Sequence, residues 1–248
     1  MSSEWFMLSF VLFLSIAGLY STVGHAGASG YLALMGLLSF APATIKPTSL
    51  ILNIAVALLA SVRFIRAGYF DKSLFFTFIG TALPMAFLGG YLSLNPLVFK
   101  YLAGIFLLVS SFLLLARPAF AKIAPEGVKK SHFVVKMSLG AVIGFVSGLI
   151  GVGGGIFLSP VMIMAGWTSV KNASGVSALF ILCNSVAGLS GHWAGVQTLD
   201  PYTGYWLLAV GLGGSLGTYL GTLGLGNRAI LQFLATVLLL AGLKFIFI

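Results

Sequence analysis

The chain has 248 residues, of which 59% are hydrophobic and 7% are charged, and its mean hydropathy is +1.11. A soluble domain carries about 25% charged residues, so this composition excludes a soluble protein and predicts an all-α polytopic membrane protein. The net charge of +9 lies mostly in loops, where it sets membrane topology. The expected partner is therefore the lipid bilayer and not a nucleic acid.

The first half of the chain predicts a broken hairpin followed by three membrane crossings. Residues 5–23 are long enough to cross, and they lead into a stretch of small residues at 24–30. The next apolar piece, 31–41, is short and is closed by Pro42. Three spans follow, at residues 49–62, 74–91 and 97–116.

The second half repeats this pattern after a basic segment. Residues 1–120 are predicted to form an N-terminal transmembrane repeat, 121–136 a basic cytoplasmic linker, and 137–248 a C-terminal transmembrane repeat. A hairpin at 137–167 is followed by spans at 173–191, 202–221 and 229–247. Each repeat is thus expected to be a broken-helix hairpin plus three transmembrane helices.

The hairpin of the second half is predicted from a long uncharged run. Residues 137–170 contain no Asp, Glu, Lys or Arg, and as one helix they would extend about 50 Å, beyond a hydrocarbon core of about 30 Å. Five glycines between Gly148 and Gly155 mark the break. The apex must then be buried in protein or line a wet cavity, and close helix packing by small residues is the alternative reading.

The loop charges predict the orientation of the two repeats. Arg63, Arg66 and Lys72 mark the 63–73 loop as cytoplasmic, whereas the 92–96 and 192–201 loops have no Lys or Arg. Arg228 returns the 221–228 loop to the cytoplasm, which leaves both termini outside. The repeats are therefore expected to be inverted, an architecture typical of secondary transporters with a site near the midplane.

The glycine-rich run from Gly144 to Gly155, GFVSGLIGVGGG, is followed by Pro160 and has a weaker copy at 18–27. These motifs resemble those of the TauE/SafE sulfite exporter family of bacterial permeases, and the resemblance covers nearly the whole chain. It implies transport of sulfite, organosulfonates or related anions across a bacterial cytoplasmic (inner) membrane. The first copy departs from the pattern, because His25, Ala28 and Ser29 replace glycines.

The residues themselves also favour an anion. No Asp or Glu lies inside a predicted span, and a cation or proton pathway usually needs buried carboxylates. Short helices that begin near Ser29 and Gly155 would direct free N–H groups at the two apices. The candidate substrate-binding residues at the apices are His25, Gly27, Ser29, Gly153, Gly154 and Gly155.

Four further candidates are chosen because they recur in the two halves. Lys46 and Lys171 are expected near the two mouths, either as electrostatic attractors or as lysines that snorkel to the interface. Asn53 and Asn184 lie in apolar spans, where they would bind oxyanion oxygens or bridge helices. His25 would donate to the anion, carry a proton or bond a freed carbonyl.

Two classes of function remain, a secondary transporter working by alternating access and an anion channel. Ion-coupled uptake of a sulfur oxyanion is the alternative to export. No enzymatic activity, cofactor or metal is expected, because the sequence has neither a paired carboxylate nor a Cys/His cluster.

Membrane-interface anchors are the interpretation of four residues, His192, Trp193, Tyr202 and Trp206. The oligomeric state stays open, and a homodimer is among the states allowed.

Overall fold

The computed structural model describes residues 3–22, 24–123, 132–193, 199–223 and 228–247, which form ten helices and no strand. The helices are α1 (Ser3–Thr22), α2 (Ala28–Leu37), α3 (Pro42–Arg66), α4 (Lys72–Tyr91), α5 (Pro96–Ile123), α6 (Phe133–Ile150), α7 (Gly155–Met164), α8 (Val170–His192), α9 (Thr203–Thr222) and α10 (Arg228–Phe247). The predicted all-α fold is confirmed. Parts of the predicted linker and of the 192–201 and 221–228 loops lie outside the described residues.

Six of these helices, α3, α4, α5, α6, α8 and α10, are long and apolar enough to cross a membrane. The chain is therefore a multi-pass membrane protein. Helices α3 and α8 have the largest buried share among these six. They contact each other directly, so the middle of the molecule is built from one long helix of each half.

The second arm of each hairpin is short, as the sequence predicts. Helices α2 and α7 have 10 residues each, about 15 Å of helix and half of a hydrocarbon core. Neither can cross a bilayer, so the loops that precede them lie within the protein. Every described residue from Gly24 to Tyr31 is buried, and so is the run 150–156.

The start of α3 differs from the sequence prediction. The helix begins at Pro42, seven residues before the predicted span, and it continues through Pro47. Proline is tolerated in the first turn of a helix, where its missing N–H has no intrahelical acceptor. Pro42 therefore starts the helix that it was expected to precede, and Lys46 lies inside α3 and not in a loop.

The two halves exchange packing partners, in that helices of one half pack against helices of the other. The first hairpin arm of one half packs against the fourth helix of the other, since α1 contacts α9 and α6 contacts α4. The short helices follow the same rule, because α2 packs on α10 and α7 on α5. This correspondence agrees with a structural repeat, while the inverted orientation stays a prediction.

Glycines bring the backbones of the exchanged helices into contact. On α6, a Cβ added at Gly140, Gly144 or Gly148 would lie closer than 3.0 Å to a carbonyl oxygen of α4. On α9, Gly213, Gly217 and Gly221 face carbonyl oxygens of α1 in the same way. Both stripes have the four-residue spacing of small residues typical of close helix packing in membranes. Packing by small residues is thus found along the helices that flank the breaks.

The aromatic core corrects one expectation. Trp206 is fully buried and stacks on Phe13 with 4.8 Å between ring centroids, and its Nε1 donates to Ser9 Oγ. The interpretation of Trp206 as an interface anchor is therefore wrong. Trp193 is 71% exposed, and its interpretation as an anchor stays a prediction.

Candidate functional site

The first arm of each hairpin ends in the same way. Gly24 and Gly151 adopt positive φ angles of 79° and 90°, which only glycine reaches without strain. The next N–H then turns back into the helix, from His25 to the Tyr20 carbonyl and from Val152 to the Ser147 carbonyl, both at 3.1 Å. These Schellman-type bonds satisfy carbonyls at the ends of α1 and α6, so the incoming helices expose less negative charge at the apices.

The second arm of each hairpin begins with an uncovered N-terminus. Gly27 and Gly154 are the N-cap residues of α2 and α7, with φ angles of 95° and 79°. A glycine N-cap has no side chain to accept a bond from the first turn. The first N–H groups of both helices therefore remain available to an outside acceptor and carry a partial positive charge.

The two apices meet at one small cavity, here called the apex cavity. Its lining includes His25, Gly27 and Ser29 from the first apex, Asn53 from α3 and Gly155 from α7. Its volume is about 10 Å³, room for roughly one water molecule. The described conformation is thus closed to a sulfur oxyanion, although half of the predicted site residues surround one point.

Side chains of the apex cavity are held by specific hydrogen bonds. Asn53 Nδ2 donates to Ser185 Oγ at 2.8 Å, while Asn53 Oδ1 is buried without a partner among the described residues. Ser29 Oγ donates to the Tyr20 hydroxyl at 3.0 Å, and His25 is 3% exposed. Tyr20 and Ser185 were not selected from the sequence, because only the tertiary structure brings them to this cavity.

The remaining glycines of the second apex lie beside the apex cavity. A Cβ at Gly153 would meet Asn53 and Ser185, and one at Gly154 would meet Ser147 and Phe180. Both residues also have positive φ angles. In the first apex, Ala26 stands where the second has Gly153 and has no positive φ, so the two breaks differ in backbone shape.

Lys46 is buried and lies next to the second apex. Its Nζ donates to the carbonyl of Gly90 at 3.0 Å and to those of Gly89 and Leu92 at 3.4 Å, at the end of α4. The side-chain stem packs beside Gly151. Lysine is favourable at a helix C-terminus, where unpaired carbonyls concentrate negative partial charge.

A larger cavity opens beside Lys46 and is called the mouth cavity. It has a volume of about 240 Å³ and lies between the start of α3, the α4–α5 connection and the end of α8. Lys46, Ser93, Leu149 and His192 are among its lining residues. The interpretation of His192 as a simple interface anchor is therefore incomplete, because this residue also lines the mouth cavity.

Lys171 does not match Lys46. It is exposed, donates to the Tyr69 hydroxyl at 3.0 Å and lies 4.8 Å from the centroid of that ring. The residue that packs on Gly24 as Lys46 packs on Gly151 is Ser174. The equivalence expected from sequence order fails because α3 begins four residues before Lys46, whereas α8 begins one residue before Lys171.

The two asparagines also differ. Asn184 is fully buried, and neither of its amide atoms has a partner among the described residues. It is not among the residues that line the apex cavity or the mouth cavity. Its neighbour Ser185 receives the hydrogen bond from Asn53, so the expected pair is one residue out of register.

Known proteins agree with a transport role for a chain of this kind. The family model described as sulfite exporter TauE/SafE matches residues 8–245. A probable membrane transporter protein, y4hK of Sinorhizobium fredii, is 36% identical over 236 residues, covering 94% of this chain and 95% of that protein.

More distant relatives carry the same description. The probable membrane transporter protein YunE of Bacillus subtilis is 27% identical, and the match covers 97% of this chain and 98% of YunE. The probable membrane transporter protein MJ0441 of Methanocaldococcus jannaschii is 32% identical over a match that covers 44% of this chain and 40% of MJ0441. No solved structure matches the chain. With a family match over nearly its whole length, the chain belongs to the TauE/SafE sulfite exporter family of membrane transporters.

Proposed function

We propose that the protein is a secondary transporter that exports a small sulfur-containing anion, such as sulfite or an organosulfonate, by alternating access. The observation that carries the proposal is the meeting of two glycine-capped helix N-termini, one from each half, at the apex cavity. No Asp or Glu is present among the described residues that line this cavity. N–H groups and positive helix ends without a neighbouring carboxylate favour an anion.

The anion would be held by backbone and side-chain donors together. Glycines 27 and 153–155 allow it to approach the N–H groups of α2 and α7 closely, and His25 adds a polar side chain. The Tyr20 hydroxyl accepts from Ser29 and keeps its own hydrogen to donate. Asn53 would contribute after its amide rotates, so that Ser185 donates to Oδ1 and Nδ2 turns to the anion.

Alternating access would use the two repeats as moving halves. Inverted repeats with broken helices place a site at their interface, and rocking of one repeat against the other exposes it to each side in turn. The partner exchange between α1, α4, α6 and α9 supports a repeat of this kind. Lys46, near the mouth cavity, would attract anions at one end, and Lys171, exposed on the surface, at the other.

The membrane potential favours export. In a bacterial inner membrane the cytoplasm is negative, and a divalent anion at 100 mV is driven outward by about 4.6 kcal/mol. Potential-driven uniport would need no coupling ion, and the candidate spans contain no Asp or Glu, the groups that most often relay protons. Proteoliposomes with valinomycin-set potentials and no sodium or proton gradient test this. A flux that ignores the potential, or that requires sodium or protons, would exclude uniport.

The transporter class is tested by counterflow. Proteoliposomes that contain the purified protein are loaded in turn with sulfite, sulfate, thiosulfate, taurine or sulfoacetate. Uptake of the same anion in labelled form is then followed. A carrier gives saturable, transient accumulation above equilibrium for its substrate. Steady current without counterflow would identify an anion channel, and no flux of any of the five anions would contradict the proposed substrate class.

A further inference from the structure

The mouth cavity brings together a lysine and a histidine, one from each half of the protein. Lys46 comes from α3 and His192 from the last residue of α8, and no Asp or Glu is present among the described lining residues. The volume of about 240 Å³ is below the range of roughly 300–1,000 Å³ of drug-sized ligand sites. A small anion with a few waters is the ligand that such a basic, compact cavity fits.

The two basic side chains converge on one backbone group. Lys46 Nζ donates to the Gly90 carbonyl at 3.0 Å, and the His192 ring also hydrogen-bonds to the backbone of Gly90. The other ring atom, Nδ1 of His192, is buried and has no partner among the described residues. A buried polar atom without a partner is costly, so a ligand that pairs with it is favoured.

The position of Lys46 links the mouth cavity to the apices. Its stem packs beside Gly151 of the second apex, while its ammonium group points to the end of α4 at the mouth cavity. One side chain thus contacts both regions. An anion leaving the apex cavity on this side would meet the ammonium group before it reaches bulk water.

We propose that the mouth cavity is a second anion-binding site, in which Lys46, His192 and Ser93 hold a small divalent oxyanion between the apex cavity and the α4–α5 end of the protein. The inference that this anion is also the transported one rests on the proposed function. The Lys46 ammonium group attracts the oxyanion by its charge and the Ser93 hydroxyl donates to it. Nδ1 of His192 donates to the oxyanion when the imidazole takes up a proton together with the anion, since the other ring nitrogen is bonded to Gly90.

Sulfate protection of an engineered cysteine tests this site without measuring transport. In a Cys183→Ala background, Ser93→Cys places a thiol in the mouth cavity, and a charged thiol reagent is applied to protein in phosphatidylcholine nanodiscs. Ser73→Cys, exposed near the start of α4, is the matched control. We expect sodium sulfate, compared with sodium gluconate, to slow labelling of Ser93→Cys about tenfold and to leave Ser73→Cys unchanged.

A charge-neutral variant identifies the side chain responsible. His192→Gln preserves a donor for Gly90 but removes the imidazole, so the half-protecting sulfate concentration should rise about tenfold while the melting temperature stays the same. Equal protection at both cysteines, or protection independent of His192, would overturn the proposal. If phosphatidylglycerol nanodiscs without sulfate slow the labelling of Ser93→Cys, the cavity binds a lipid headgroup, and the proposal is overturned as well. Failure of counterflow with intact, His192-dependent protection would instead contradict only the transporter proposal.

Discussion

Asn53 and Asn184 were equivalent candidates in the sequence, but their surroundings in the structure differ. Asn53 lines the apex cavity and donates to Ser185. Asn184 is buried away from that cavity, with both amide atoms unpaired among the described residues. The difference depends on which face of each helix meets the apices, and neither helix has a periodicity that reveals this face.

We expect Asn53→Ala to lower the catalytic efficiency of transport about tenfold or more, because the anion would lose one hydrogen-bond donor in a desolvated cavity. Asn184→Ala should retain most of the transport and should not reduce thermal stability, since it removes an unsatisfied polar group. Initial rates in proteoliposomes and melting temperatures in detergent measure both effects. Equal loss of transport in the two variants would show that the apex cavity is not the binding site.

Gly154 has a positive φ, and an added Cβ would lie closer than 3.0 Å to side-chain atoms of Ser147 and Ile143. Gly154→Ala should therefore cost more than the backbone strain of about 1–2 kcal/mol and should also abolish transport, because the methyl group clashes at the N-terminus of α7. Leu at this position would enlarge the clash and obscure the cause.

Gly68 provides the matched control for Gly154. It has the same φ of 79°, and an added Cβ would meet nothing within 4 Å. Gly68→Ala should therefore lose stability through strain alone, by less than Gly154→Ala in thermal unfolding, and keep normal transport. Transport that fails equally in both variants would mean that strain alone, and not the shape of the second apex, accounts for the effect.

At the scale of the helices, the pairing of α4 with α6 depends on glycine. Gly144→Leu should destabilise the protein by about 3 kcal/mol, because its side chain would enter the backbone of α4 at Ala82. Gly80→Leu on α4 is the control, since nothing lies within 4 Å of its added Cβ. Melting temperatures in one detergent measure both variants, and an equal effect would argue against close α4–α6 packing.

The elements that the sequence predicted well are those decided by local chemistry. Glycine is a poor helix former, and the clusters at 24–30 and 148–155 interrupt apolar runs, so both hairpins and their short second arms were predictable. The start of α3 was missed because Pro42 either closes one segment or opens the next, and the residue alone does not distinguish these. The bonds of Lys46 to Gly90 and the place of His192 required the packing of α3, α4 and α8.

At the scale of the whole molecule, the orientation stays a prediction. Three crossings per half would invert the repeats, and the loop charges would then place both termini outside the cytoplasm. A C-terminal green fluorescent protein fusion should then be dark and an alkaline phosphatase fusion active in a bacterial host. Fluorescent and phosphatase-inactive fusions would contradict the predicted orientation of the termini.

The central claim is that the transported anion binds between the two hairpin apices. The most direct test is to locate the bound anion in a crystal. Selenate is a heavier analogue of sulfate, and crystals of the protein grown with it can be measured at the selenium absorption edge. The expected result is an anomalous peak between the N-termini of α2 and α7, close to Gly27, Asn53 and Gly155, which disappears in Asn53→Ala crystals. A peak confined to other parts of the protein, in a preparation that transports selenate, would contradict the assignment of the apices as the transport site.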